Sequence, residues 1–133
     1  MEAEKKLTEI SVWEEALERK FHFDENCILQ QSLDLIADKW TLLIVMALMQ
    51  GTKRNSELQK QVVGISPKML AQTLKTLLNY GMVSRKVYPE VPPKVEYSLT
   101  ELGSSLAGPL AALFSWSLER EQEVRSIYKN QKK

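Results

Sequence analysis

The sequence predicts a mainly α fold with one small β-hairpin, an α+β architecture. Three observations predict it. Apolar residues recur at helical spacing over most of the 133 residues. Two strand-like runs, MVSRKVY at 82–88 and KVEYSL at 94–99, flank the segment PEVPP, which is too proline-rich to pair in a ladder. A long helical pattern resumes directly after the second run.

The elements follow in order. Leu7, Ile10, Leu17 and Phe21 share helical spacing with Trp13 or Glu14, so residues 7–20 are expected to form an amphipathic helix. FHFDEN breaks it, and Asp24 or Asn26 is expected to cap a second helix over 27–37, with Ile28, Leu29, Leu33 and Ile36 as its buried face. Residues 39–50 are nearly all apolar after Trp40, the pattern of a helix buried on most sides, and Gly51 ends it. Asn55 is expected to cap the short helix NSELQKQV, with Glu57 in the first turn where the helix dipole favours negative charge.

Gly64-Ile65 is the next turn. Ser66 caps the following helix and Pro67 occupies its first position, where a missing N–H costs nothing. That helix is expected to reach Tyr80 and stop at Gly81. After the hairpin, Thr100 and Glu101 open a long last helix through Leu106, Leu110, Leu113 and Phe114. A kink is expected at Gly108-Pro109. Val124, Ile127 and Tyr128 continue the helical pattern, and the terminal KNQKK reads as loose.

Composition narrows the function. A hydrophobic content of 44% supports a packed core in one domain. Net charge is only +1, but its distribution is uneven. Residues 51–97 carry eight basic and three acidic side chains, while the rest of the chain carries 10 basic and 14 acidic. Phosphate attraction follows such a local field rather than the total. The single cysteine permits no internal disulfide, and with one histidine, His22, no His/Cys zinc set can form. No GxGxxG, Walker or GxSxG pattern occurs, so an enzyme is not expected, and no cofactor or metal is implied. The start MEAEKKL lacks a signal-peptide core, and the longest apolar run, 42–49, is too short for a membrane span. The expectation is a cytoplasmic protein with no membrane partner.

The helix from Pro67 carries the sharpest signal. Leu70, Leu74, Leu77 and Leu78 share one face, and Lys68, Gln72, Lys75, Thr76 and Asn79 share the other, with Met69 and Thr73 beside them. Gln can pair bidentately with adenine, Lys with guanine or phosphate, and Met or Thr methyl groups with thymine. N-terminal residues of such a helix reach deepest, which favours Ser66, Lys68, Met69, Gln72 and Thr73, with Lys75 and Thr76 one turn on. Arg85, Lys86 and Lys94 surround the stiff Pro92-Pro93 tip and suit phosphate contact with little sequence information. Short helix, turn, second helix and basic hairpin form the layout of a winged helix-turn-helix.

Several segments carry a family resemblance: CILQQSLDLIADKW from Cys27, GISPKMLAQTLKTLL, GMVSRKVYPEVPPKVEYSLTELG and SLAGPLAAL. Together they resemble the HxlR-type winged-helix transcription regulators, relatives of the MarR-type regulators, over residues 27–116. The resemblance implies a homodimer that grips a pseudo-palindromic double-stranded operator through two recognition helices and two wings. It also implies dimerisation through extra N- and C-terminal helices. On that basis residues 1–26 form a dimerisation arm, 27–117 the DNA-binding domain, and 118–133 a C-terminal helix and tail. Many members have a proline directly after the cysteine, where this chain has Ile28, and many have a shorter N-terminal arm.

Cys27 stands at an expected helix start, where the positive end of the dipole favours a thiolate, although Asp24 and Glu25 nearby oppose it. By resemblance, Cys27 is the candidate sensor of thiol oxidants or electrophiles. The alternative is a small, partly buried apolar residue. Trp40, Tyr80 and Trp116 read as core or interface aromatics, and an electrophile or other small-molecule effector stays open. The expected function is a sequence-specific transcriptional regulator, a repressor acting by operator occlusion. The alternative is a winged-helix protein-interaction module without sequence-specific DNA binding.

Overall fold

The computed structural model describes residues 11, 12, 14 and 23–131. The chain divides into two compact units, with the boundary in the sequence after Ala37.

In the first unit Ser11, Val12 and Glu14 are helical and exposed; the rest of the helix expected over 7–20 lies outside the described residues. A turn follows, in which Asp24 Oδ1 accepts from Asn26 N at 3.0 Å and Asp24 O accepts from Cys27 N at 3.0 Å. Helix α1 is Ile28–Ile36. Its N-cap is Cys27, with no side-chain cap bond, so neither Asp24 nor Asn26 caps it as expected. The Asp24 carboxylate is spent inside the turn, three residues ahead of the N-cap position. Gln30 and Gln31 fasten that turn by donating to the carbonyls of Phe23 and Glu25 at 2.6 and 2.9 Å. The expected buried face is also corrected. Ile28 is 74% exposed, Leu29 and Leu33 are half exposed, and no residue of α1 is fully buried. Periodicity reveals an apolar stripe but not what covers it.

The second unit holds the core. Helix α2, Lys39–Leu48, buries Thr41, Ile44, Val45, Ala47 and Leu48. It ends two residues earlier than expected, and Gly51, at φ 132°, turns the chain away. Strand β1, Lys53–Arg54, follows. Helix α3, Asn55–Gln61, then begins with Arg54 at the N-cap, not Asn55. Glu57 Oε1 accepts from Arg54 N at 3.0 Å, so a carboxylate in the first turn satisfies the orphan donor. Gly64 takes φ 95° and leads into α4, Pro67–Asn79. As expected, Ser66 caps α4 by accepting from Met69 N at 3.0 Å, with Pro67 at the helix start.

Strands β2, Val83–Tyr88, and β3, Lys94–Leu99, form the hairpin. The sheet is antiparallel in the order β1-β3-β2, so the short β1 extends the hairpin to three strands. The last helix is not one piece with a kink at Gly108-Pro109. It breaks at Ser105-Leu106 into α5, Glu101–Ser104, and α6, Ala107–Glu119, and again at Arg120 before α7, Glu121–Gln131. Pro109 lies in the first turn of α6, where Leu110 N to Leu106 O is the first bond and proline removes none. Lys129, Asn130 and Gln131, expected to be loose, are helical. Ile44, Val45, Leu58, Leu70, Leu74 and Leu77 are sealed from solvent at the centre of this unit. Each such side chain contributes roughly 1.5–3 kcal/mol of burial.

Candidate nucleic-acid interface

Helix α4 is split lengthwise. Leu70, Thr73, Leu74 and Leu77 are buried, while Ser66, Lys68, Gln72, Lys75 and Asn79 are exposed. The core side anchors the helix, so the polar side is presented on a rigid element. Met69 and Thr76 are half-buried at its margin, and the Thr76 hydroxyl donates to Gln72 O at 3.0 Å. Thr73 does not belong to the exposed set: it is 4% exposed and faces the core. Its geometry was readable, since at about 100° per residue Thr73 lies only about 40° from Leu77. Ala71, which sequence reasoning passed over, is exposed on the flank about 40° from Lys75.

The hairpin splits its cations between two faces. Alternation along β2 sends Lys86 and Arg85 to opposite sides of the sheet. Lys86, Tyr88, Lys94 and Glu96 share one face, because Lys86 pairs with Glu96 and Tyr88 with Lys94. Arg85 stands on the other, opposite Tyr97. The three basic residues expected around the tip are therefore two together and one apart. Arg54 joins the pair, since β1 sets it opposite Glu96. A dipeptide strand has no periodicity of its own, and only the pairing reveals Arg54's place. Pro92 and Pro93 form an exposed tip, with a cis peptide between Val91 and Pro92.

Within this cluster Lys94 Nζ lies 2.9 Å from the Glu96 carboxylate, and the ammonium groups of Lys86 and Lys94 each lie 4.8 Å from the Tyr88 ring centre. The hydrogen bond and charge of Lys94 hold the Glu96 carboxyl below its ordinary range. Partial burial opposes that, and the Tyr88 hydroxyl and Arg54 charge reinforce it.

Cys27 lies in the other unit, half-buried at the N-cap of α1, with its carbonyl accepting from Gln31 N at 3.0 Å. Among the described residues no group of His, Cys, Asp and Glu could hold a metal ion, and no helix is long and apolar enough to cross a membrane.

A capped, half-buried helix followed by a basic three-stranded wing defines a winged helix-turn-helix transcriptional regulator. The HxlR-like helix-turn-helix family model matches residues 35–124, and the chain belongs to that family. Its members are DNA-binding transcriptional regulators, and the chain is one of them rather than an enzyme. It is 42% identical over 105 residues to the uncharacterized HTH-type regulator YtfH of Escherichia coli, covering 79% of this chain and 83% of YtfH. A solved MarR-family regulator from Porphyromonas gingivalis superposes with a TM-score of 0.72 at 40% identity, covering 74% of this chain and 97% of that one. The redox regulator HypR in its oxidized form superposes with a TM-score of 0.67 at 36% identity, covering 70% of this chain and 96% of HypR.

Proposed function

We propose that the protein is a homodimeric repressor that occludes a pseudo-palindromic operator, reading bases with α4 and holding phosphates with the wing. One observation carries this reading: α4 is fixed by a buried leucine face and turns Lys68 and Gln72 outward in its N-terminal half, with Lys75 outward just beyond. Ser66 and the half-buried Met69 and Thr76 border the same face and complete the reading set. Arg85, Lys86, Lys94 and the Pro93 tip would track the flanking backbone, with Arg54 added to them. A two-fold dimer would set its recognition helices roughly 34–36 Å apart, one turn of duplex. Apolar side chains left exposed on α6 and α7 support a second copy as the partner.

Regulation is assigned to Cys27. The support is the relative HypR, a redox regulator solved in oxidized form, together with the partial exposure of the Cys27 side chain. One thiol per chain would act by an intersubunit disulfide, a mixed disulfide or an electrophile adduct, and the resulting change in dimer geometry would release the operator.

The test is fluorescence anisotropy on duplex DNA from upstream of the protein's own gene, with excess random-sequence competitor at fixed salt. Binding that survives the competitor and weakens after diamide or quinone in wild type, but not in Cys27→Ser, supports both parts. Binding erased by the competitor removes the operator reading. Equal loss in Cys27→Ser removes the thiol reading alone.

A further inference from the structure

The cations of the wing are not equivalent. Glu96 stands on the central strand of the sheet, directly opposite Arg54 on one side and Lys86 on the other. Lys94 shares its face two residues earlier and reaches it at 2.9 Å, with the two side chains 29% and 19% exposed. The Lys86 and Lys94 ammonium groups each lie 4.8 Å from the Tyr88 ring centre. The carboxylate thus holds Lys94 directly and sits between the strand positions of Arg54 and Lys86, and Lys94 is already paired before any phosphate arrives.

We propose that Glu96 is a positioning residue that sets DNA specificity: it occupies Lys94 as an internal substitute for phosphate and restrains the wing on duplexes that present no phosphate in register. The inference rests on the DNA-contacting role of the wing proposed above. Its physics is counterion release. Only a cation that neutralises a phosphate adds to the salt dependence of binding, and such contacts supply essentially all non-specific affinity. A lysine that must leave a carboxylate to reach a phosphate gains little on random DNA. Restraining Lys94 therefore lowers non-specific affinity more than operator affinity and raises the ratio between them.

The test measures affinity for a random-sequence duplex as a function of salt, for wild type, Glu96→Gln, Lys94→Gln and the double variant. Glu96→Gln is expected to bind random duplex several-fold more tightly, with the slope of log affinity against log salt steeper by about one for each wing. Lys94→Gln is expected to change the wild-type slope by much less than that, and to remove the steepening in the Glu96→Gln background. A merely structural role for Glu96 would shift the melting temperature and leave the slope alone. Wild-type slope and affinity in Glu96→Gln would overturn the proposal, as would an equal effect of Lys94→Gln in both backgrounds. Should Glu96→Gln fail to fold, Lys94→Gln alone decides: a full unit of slope lost per wing overturns the proposal, and a small loss upholds it. A wild-type protein that binds no duplex would overturn the DNA-contacting role itself. Normal wild-type binding with an unaltered Glu96→Gln variant overturns only the role of Glu96.

Discussion

Gly103 lies against the carbonyl of Met82 so closely that a Cβ on Gly103 would fall 2.1 Å from that oxygen and 3.1 Å from Leu99 Cδ2. Met82 is a buried residue in the link between α4 and β2. Thr100 ties the same point from the other side. Its N–H donates to Met82 O at 3.0 Å, its hydroxyl donates to Gly81 O at 2.6 Å, and its Oγ1 accepts from Gly103 N at 3.2 Å. The start of α5 is thus clamped onto the junction of α4 and β2.

Replacing Gly103 by alanine should therefore act as overpacking against backbone, which cannot swing aside as a side chain can. Gly103→Ala is expected to lose about 3 kcal/mol, read from the midpoint of a urea titration. Gly108→Ala is the control, because a Cβ there meets nothing within 4 Å and the position lies in a helix. It should be neutral or gain roughly 0.5 kcal/mol. Equal losses at both positions would contradict the clamp.

Gln72 and Thr73 are neighbours in sequence with opposite surroundings, one exposed and one buried. Gln72→Ala should leave the melting temperature unchanged and lose about 1–3 kcal/mol of discrimination at one base position. Thr73→Asn should do the reverse, forcing a bulkier amide into the core and lowering stability by roughly 1–3 kcal/mol. The check is a thermal melt paired with binding to a set of single-base operator variants.

What was legible in the chain depended on how local its cause was. The Ser66-Pro67 cap was readable because one hydroxyl and one ring decide it within three residues. Both hairpin strands were readable because β-branched and aromatic residues surround a proline tip. Strand β1 was not, since Lys53 and Arg54 are extended only by pairing with Tyr97 and Glu96. The side of the wing on which Arg85 falls depended on register, which is a property of two strands. Thr73 is favoured by its place in the N-terminal half of the helix, although its helical angle points inward, where it is buried. Ile28 and Leu33 were expected to be buried because spacing marks an apolar face without naming its cover.

Acid should expose the Glu96 cluster. Its carboxyl is held below the ordinary value of 4.5, chiefly by Lys94, so folding favours the charged form. The stabilisation is present above that value and is lost as pH falls through the lower folded-state value. Glu96→Gln should therefore show a shallower loss of melting temperature on acidification below about pH 4.5 than wild type does. Parallel curves for the two proteins would show that the Lys94 pair contributes nothing to the fold.

Helix α6 is apolar almost all round, AGPLAALFSWSLE, yet only Leu110 on it is fully buried. Trp116 is 54% exposed with the exposed Leu113 one turn before it, and Phe114 and Leu118 are exposed on another side of the helix. A helix with that composition is stable in water only when its remaining faces are covered. The homodimer proposed above supplies the cover, and a large exposed tryptophan is the side chain best suited to anchor it. Trp116→Glu should then weaken dimerisation by about 2 kcal/mol or more, roughly 30-fold in dissociation constant. Sedimentation velocity over a concentration series measures it. The variant should retain the wild-type far-ultraviolet circular dichroism spectrum and lose most of its affinity for a full operator, while a half-site duplex is affected far less. A Trp116→Glu protein that sediments as wild type would remove α6 from the dimer interface and leave its apolar surface to another partner.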